Sequence, residues 1–208
     1  MTQTHSQARP TETVQPAPVA RASAIADPAP LGLAAFALTT FILSMTNTGL
    51  FHVEPVVFGL AFAYGGIAQF AAGMWEFAKG NTFGATAFAS YGAFWVSFWW
   101  LTGHTDLSAA TGDQAAHEIG IYLLAWGLFT AYMAVAATRV SGAVLAVFVL
   151  LTATFVVLAI GNFGPTESII KVGGWIGVAT ALAAWYASFG GVTAYTHGAP
   201  LVPTAPRE

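Results

Sequence analysis

Six stretches of at least twenty residues contain no Asp, Glu, Lys or Arg: Leu31–Leu50, Pro55–Trp75, Thr82–Leu101, Ile119–Thr138, Ser141–Gly161 and Val172–Thr196. A bilayer core of roughly 30 Å needs about 20 apolar helical residues at ~1.5 Å each, so every one of these stretches can span it. The charged residues, six Lys or Arg and nine Asp or Glu in 208, all fall between or beyond the windows. They make up 7% of the chain, against about 25% in soluble domains. So few charges cannot cover the surface of a soluble domain, and the apolar surface must face lipid. The expectation is an all-α polytopic membrane protein, a bundle of six transmembrane helices placed as a multi-pass protein in the cell membrane.

The residues outside the windows set the organisation. Residues 1–26, rich in Thr, Gln, Ala and Pro, read as a disordered tail without the apolar run of a signal peptide. Residues 27–197 form the six-helix transmembrane domain, and 198–208, with Pro200, Pro203 and Pro206, a C-terminal tail. Arg9, Arg21, Lys79, Arg139 and Arg207 fall on one side of the membrane and Lys171 alone on the other. The positive-inside bias then puts both termini in the cytoplasm and makes Thr102–Glu118 the longest outer loop.

Several chemistries are excluded at this level. There is no cysteine for a disulfide, thiolate site or nucleophile. No basic cluster offers a nucleic-acid surface, no phosphate-binding loop is present, and neither HExxH nor GxSxG occurs. His104 and His117 with Asp106 or Asp113 read as solvated loop residues rather than metal ligands. No catalytic residue, metal or cofactor is expected. With no charge inside a window, a relay through a buried acid or lysine is not expected either.

The windows contain more polarity than lipid requires. Phe36, Thr40, Ser44 and Asn47 share one helical face, as do Gly65, Gln69, Gly73 and Glu76, and again Leu151, Thr154, Leu158 and Asn162. Thr86, Ser90, Tyr91 and Ser97 give the third window its polarity. Ser and Thr can bond their own i−4 carbonyl. Asn47, Gln69 and Asn162 read as amides that cannot be satisfied locally, so they either bond between helices or line a pore. Glu76, beside Lys79, reads as a surface ion pair. Gly80/Gly84 and Gly173/Gly177 fit GxxxG, a pattern of close helix approach and of oligomer contacts. A neutral, polar-dotted path of this kind suits a small solute of modest charge.

Longer motifs carry a family resemblance. Asp27-Pro-Ala-Pro-Leu-Gly-Leu33 followed by Phe36, Tyr64-Gly-Gly-Ile-Ala-Gln69, Ala72-Gly-Met-Trp-Glu76, Gly80-Asn-Thr-Phe-Gly-Ala-Thr-Ala-Phe88, Ser90-Tyr-Gly-Ala-Phe-Trp95, Ala159-Ile-Gly-Asn162, Gly173-Gly-Trp-Ile-Gly177 and Ala184-Trp-Tyr186 resemble the acetate uptake transporter (succinate–acetate permease) family. The resemblance covers about residues 27–190. It implies a homo-hexamer in the lipid bilayer with a pathway in each protomer, passing acetate and similar short carboxylates, succinate among them, by channel or proton-coupled transport. It assigns the pathway constriction to Phe36, Tyr91 and Leu151, which would otherwise read as ordinary packing. The mouth motif falls on Asp27, Pro28, Leu31 and Gly32.

Thr40, Asn47, Gln69 and Asn162 are the candidate pore-lining donors. Hydroxyls and amides can hold a carboxylate while still releasing it, so selectivity would follow pore width and donor placement. Tyr91 is expected to offer its hydroxyl to the carboxylate, so Tyr91→Phe should affect acetate more than a neutral solute of similar size. Asp27 replaces the family's Asn; its charge is expected to weaken anion access. The competing readings are a permease for another small solute such as ammonia, and a non-transporting carboxylate sensor, against which the short, low-complexity tails weigh.

Overall fold

The computed structural model describes residues 25–51, 54–106, 113–164 and 166–206. Their helices are α1 (Ala29–Asn47), α2 (Glu54–Phe62), α3 (Gln69–Lys79), α4 (Thr82–His104), α5 (Gln114–Ala137), α6 (Gly142–Phe163) and α7 (Glu167–His197). A π-helical turn, Ala63–Ala68, joins α2 and α3 into one rod, so six rods form the bundle. Five of these are long and apolar enough to cross a membrane by length and composition. The remaining rod, α4, has 23 residues but dilutes its apolar side chains with Thr, Ser, Tyr and Gly. Large apolar side chains such as Leu128, Val135 and Trp75 stand exposed around the outside. The molecule is a multi-pass membrane protein whose surrounding solvent is lipid.

Local chemistry sets the helix ends. Asp27 Oδ1 accepts from Ala29 N at 3.1 Å and Pro28 opens α1, a position that needs no proline amide. Asn81 caps α4 by accepting from Gly84 N at 3.1 Å, and Ser141 caps α6 by accepting from Val144 N at 3.1 Å. Gly80 ends α3 at φ 83°, a left-handed conformation that a side chain would resist.

Two helices start more than a turn ahead of their uncharged windows. α5 starts at Gln114 and α7 at Glu167, which brings His117, Glu118 and Lys171 onto helices. At ~1.5 Å per residue the 31-residue α7 is about 46 Å long, so its charged first turns project beyond the hydrocarbon. The expected outer loop Thr102–Glu118 shrinks accordingly to residues 105–113, of which 107–112 lie outside the described residues. The N-terminal stretch 1–24, with Arg9 and Arg21, and Arg207 also lie outside them.

α1 packs on α7, α7 on α6, α6 on α5 and α3 on α4. Small residues make these approaches possible. A Cβ on Gly92 would lie 2.6 Å from Phe70 N, and one on Gly174 2.6 Å from Thr48 N, so any side chain would separate α4 from α3 and α7 from α1. Gly173 and Gly177 meet Leu158 and Ser44 of the same chain, so this GxxxG stripe is used within the protomer. The stretch after Gly198 folds back over the helices: Ala205 O accepts from Gly142 N at 2.8 Å, Thr204 O from Ala143 N at 3.2 Å, and Pro203 O from Tyr186 Oη at 2.8 Å. It thereby satisfies free amides at the start of α6.

Candidate functional site

A cavity of about 390 Å³ lies inside the bundle. It extends to one end, where Asn47, Leu101, Thr102, Ile119, Asn162 and Ile170 border it, and finishes at Phe36 and Leu151. Helical periodicity builds two of its walls. Phe36, Thr40, Ser44 and Asn47 of α1 all line it, and so do Leu151, Thr154, Leu158 and Asn162 of α6. The remaining wall is largely aromatic, with Phe94, Trp95 and Phe98 of α4 and Tyr122 of α5.

Phe36, Tyr91 and Leu151 are all buried and belong to one cluster. The Phe36 and Tyr91 ring centroids are 5.7 Å apart, and Tyr91 also meets Phe129 at 5.4 Å and Phe148 at 6.0 Å. Tyr91 stands behind the cavity wall rather than on it. Its hydroxyl is 2.9 Å from Thr130 Oγ1, and that hydroxyl donates to the Trp126 carbonyl at 2.7 Å. Thr130 has one proton to give, so Tyr91 must be the donor in their pair. The proton expected to serve the solute is committed to the protein in this arrangement.

Most Thr hydroxyls in the bundle follow the same local rule, as Thr39, Thr152, Thr154 and Thr180 bond carbonyls four residues back. Thr40 does not: its Oγ1 is buried without a partner, as is Trp95 Nε1. Both residues line the cavity, and each carries a buried polar atom with unmet hydrogen-bonding capacity. Trp95 stands in the Ser90–Trp95 motif but outside the set of candidate donors. Its signal was an indole in an aromatic run with no water to serve its N–H.

The other expected residues separate. Asn162 lines the cavity, yet its Nδ2 donates to Leu158 O at 2.8 Å, so a helical Asn does satisfy one donor locally, contrary to expectation. Gln69 is buried but does not border the cavity; its face, with Gly65 and Gly73, packs on other helices, and its Oε1 lacks a partner. Thr86, Ser90 and Ser97 also lie off the cavity. His104 stacks on Trp100 at 5.4 Å, and His117 Nε2 meets the Phe163 carbonyl at 2.9 Å.

The mouth motif is a junction of helices. Gly32 accommodates the Phe88 ring of α4, the Pro30 carbonyl accepts from Ser188 Oγ of α7 at 2.7 Å, and Asp27 pairs with Lys79 Nζ of α3 at 2.7 Å. Leu31 projects outward and Pro28 is buried. The Asp27 charge is thus already balanced by a cation. Glu76 corrects the surface-pair reading: it is 0% exposed and its oxygens make no hydrogen bond, with Lys79 Nζ 4.0 Å away. It sits there because the face of α3 that carries Gln69 and Gly73 turns inward at every helical repeat.

Known proteins share both sequence and architecture with this chain. It is 40% identical to acetate permease A of Emericella nidulans over 196 residues, covering 86% of this chain and 66% of the fungal protein. The chain therefore spans about two thirds of that relative's length. With the succinate-acetate/proton symporter SatP of Escherichia coli K12 it shares 39% identity over 179 residues, covering 86% of this chain and 95% of SatP. The structure of the bacterial acetate channel SatP superposes with a TM-score of 0.80 at 38% identity, covering 87% of this chain and 99% of that one. These neighbours are named as transporters and channels, and none of the three as an enzyme. Residues 10–206 match the GPR1/FUN34/yaaH family as a whole, and the chain belongs to that family.

Proposed function

We propose that this protein moves acetate and similar short carboxylates across the membrane through a pathway within each protomer. The cavity carries the reading: about 390 Å³, mostly apolar, dotted with hydroxyls and amides and, among the described residues, bordered by no ionised side chain. Such a lining can strip and pass a small carboxylate without trapping it by a fixed countercharge. Thr40 and Trp95 are the donors that meet the carboxylate, with Asn47 and Asn162 nearer the open outer end of the cavity. Phe36 and Leu151 close the path, with Tyr91 bracing Phe36 from behind. Gln69 is a packing residue in this scheme.

The termini and the mouth motif face the cytoplasm, which leaves the cavity on the outer side, as the distribution of Lys and Arg supports. Residues 27–197 are the transport domain. The protomers assemble as a homo-hexamer, each with its own path, for which the exposed Ile67, Phe70, Met74 and Trp75 offer an apolar face.

Labelled acetate flux into proteoliposomes, corrected for protein-free vesicles, tests the function. Protein-dependent acetate flux that unlabelled succinate reduces supports it. Flux of ammonia without acetate would support the ammonia reading, and binding of acetate without flux a sensor.

A further inference from the structure

Glu76 is an acidic side chain that the proposed pathway does not use. It is completely buried between the last turn of α3 and the first of α4, beside the close approach at Gly84. Both oxygens lack a hydrogen bond. The Asn81 amide lies against the carboxylate without closing one of good geometry. A carboxylate held so is expensive to keep ionised unless a cation and donors complete it. Its one near cation among the described residues, Lys79, is shared: 4.0 Å from Glu76 Oε2 and 2.7 Å from Asp27 Oδ1. Among the described residues, the charged groups acting on Glu76 are Lys79 on its own helix and Asp27 ahead of α1, while Asn81 and Gly84 approach it at the start of α4.

Resting on the transport reading above, we propose that Glu76 is the proton-binding group that couples carboxylate movement to a proton gradient, with Lys79 as its positioning residue. Protonated Glu76 needs no countercharge and leaves Lys79 on Asp27, which ties the lead-in of α1 to the end of α3. Loss of the proton leaves a buried anion that draws Lys79 across the 4.0 Å gap and releases Asp27. Because the Asp27 segment also contacts α7 through Pro30 and α4 through Gly32, the proton on Glu76 bears on the junction of four helices at the mouth. The balance is simple: one proton joins a carboxylate oxygen on one side of the membrane and leaves it on the other, with no bond made elsewhere.

Two measurements on the purified full chain test this. In infrared difference spectra recorded across pH, the wild type should show the carbonyl stretch of a buried carboxylic acid that disappears as the proton leaves. Glu76→Gln should lose that band, and Lys79→Gln should move its midpoint. In proteoliposomes, labelled succinate, which crosses bare lipid poorly, should enter the wild type faster under an inward proton gradient; Glu76→Gln should lose that acceleration and Glu76→Asp should keep part of it. An unchanged band and an unchanged gradient response in Glu76→Gln would overturn the assignment, as would wild-type uptake indifferent to the gradient. Should neither acetate nor succinate cross at all, the transport reading itself fails, whatever the infrared band does.

Discussion

Replacing Tyr91 by Phe separates a structural hydroxyl from one that serves the solute. The substitution keeps the ring against Phe36, Phe129 and Phe148 and removes one interaction, the 2.9 Å bond to Thr130. Thr130 keeps its own bond to the Trp126 carbonyl, so no donor is left stranded. Between helices in a membrane such a bond contributes about 0.6 kcal/mol on average and about 1.7 at most. Tyr91→Phe should therefore lower stability by about 0.6 kcal/mol, a factor of roughly three in the folding equilibrium. A double-mutant cycle with Thr130→Val in a denaturant titration should recover a coupling of that size. Flux of labelled acetate relative to labelled acetamide should not change, since the hydroxyl proton already belongs to Thr130. A loss of about tenfold for acetate with acetamide untouched would mean that the hydroxyl contributes about 1.4 kcal/mol to the carboxylate, and the assignment of its proton to Thr130 would be refuted.

Leu151→Ala, at the closed end of the cavity, should cost about 2–5 kcal/mol of stability and raise butyrate flux relative to acetate; an unchanged ratio would remove Leu151 from the constriction. Trp95→Phe deletes an N–H that has no protein partner, so no protein hydrogen bond is lost. If that N–H meets the carboxylate, acetate flux should fall about tenfold or more, as expected for a hydrogen bond to a charged group of about 1.5–3 kcal/mol. Asp27→Asn keeps an acceptor for Ala29 N and loses only a partly exposed ion pair of about 0–1 kcal/mol, so the thermal midpoint should barely move. Its acetate flux at physiological salt and without a proton gradient should stay within about twofold, because Lys79 already balances Asp27; a large increase would restore the view that this carboxylate impedes anions.

Much of the fold was legible in the chain because lipid imposes a coarse rule on every residue of a span. Uncharged stretches longer than a bilayer is thick have to be helices, and Pro28, Asn81, Ser141 and Gly80 mark ends by local chemistry. The faces carrying Phe36, Thr40, Ser44 and Asn47, and Leu151, Thr154, Leu158 and Asn162, were readable because a helix repeats every 3.6 residues. The π-helical turn at Ala63–Ala68 was not, since one inserted backbone position leaves no mark in composition. Nor was the fate of the third face. Gly65, Gln69, Gly73 and Glu76 form as regular a stripe as the other two, but they pack on neighbouring helices instead of opening on the cavity.

Periodicity states which residues share a side and is silent on what that side meets. The lack of charge across six windows was enough to require a membrane bundle, because transfer of charge into lipid is costly wherever it occurs. The partners of individual polar groups depend on distances between residues far apart in the chain. Tyr91 gives its proton to Thr130, 39 residues away, and Asp27 finds Lys79, 52 residues away. Glu76 is the sharpest case. One turn from a helix end and beside a lysine, it has the local context of a surface pair, yet the approach of α4 at Gly84 takes it out of solvent altogether. Burial is a property of the assembled bundle, and with it the chemistry of that carboxylate changes from a solvated charge to a group that can hold a proton.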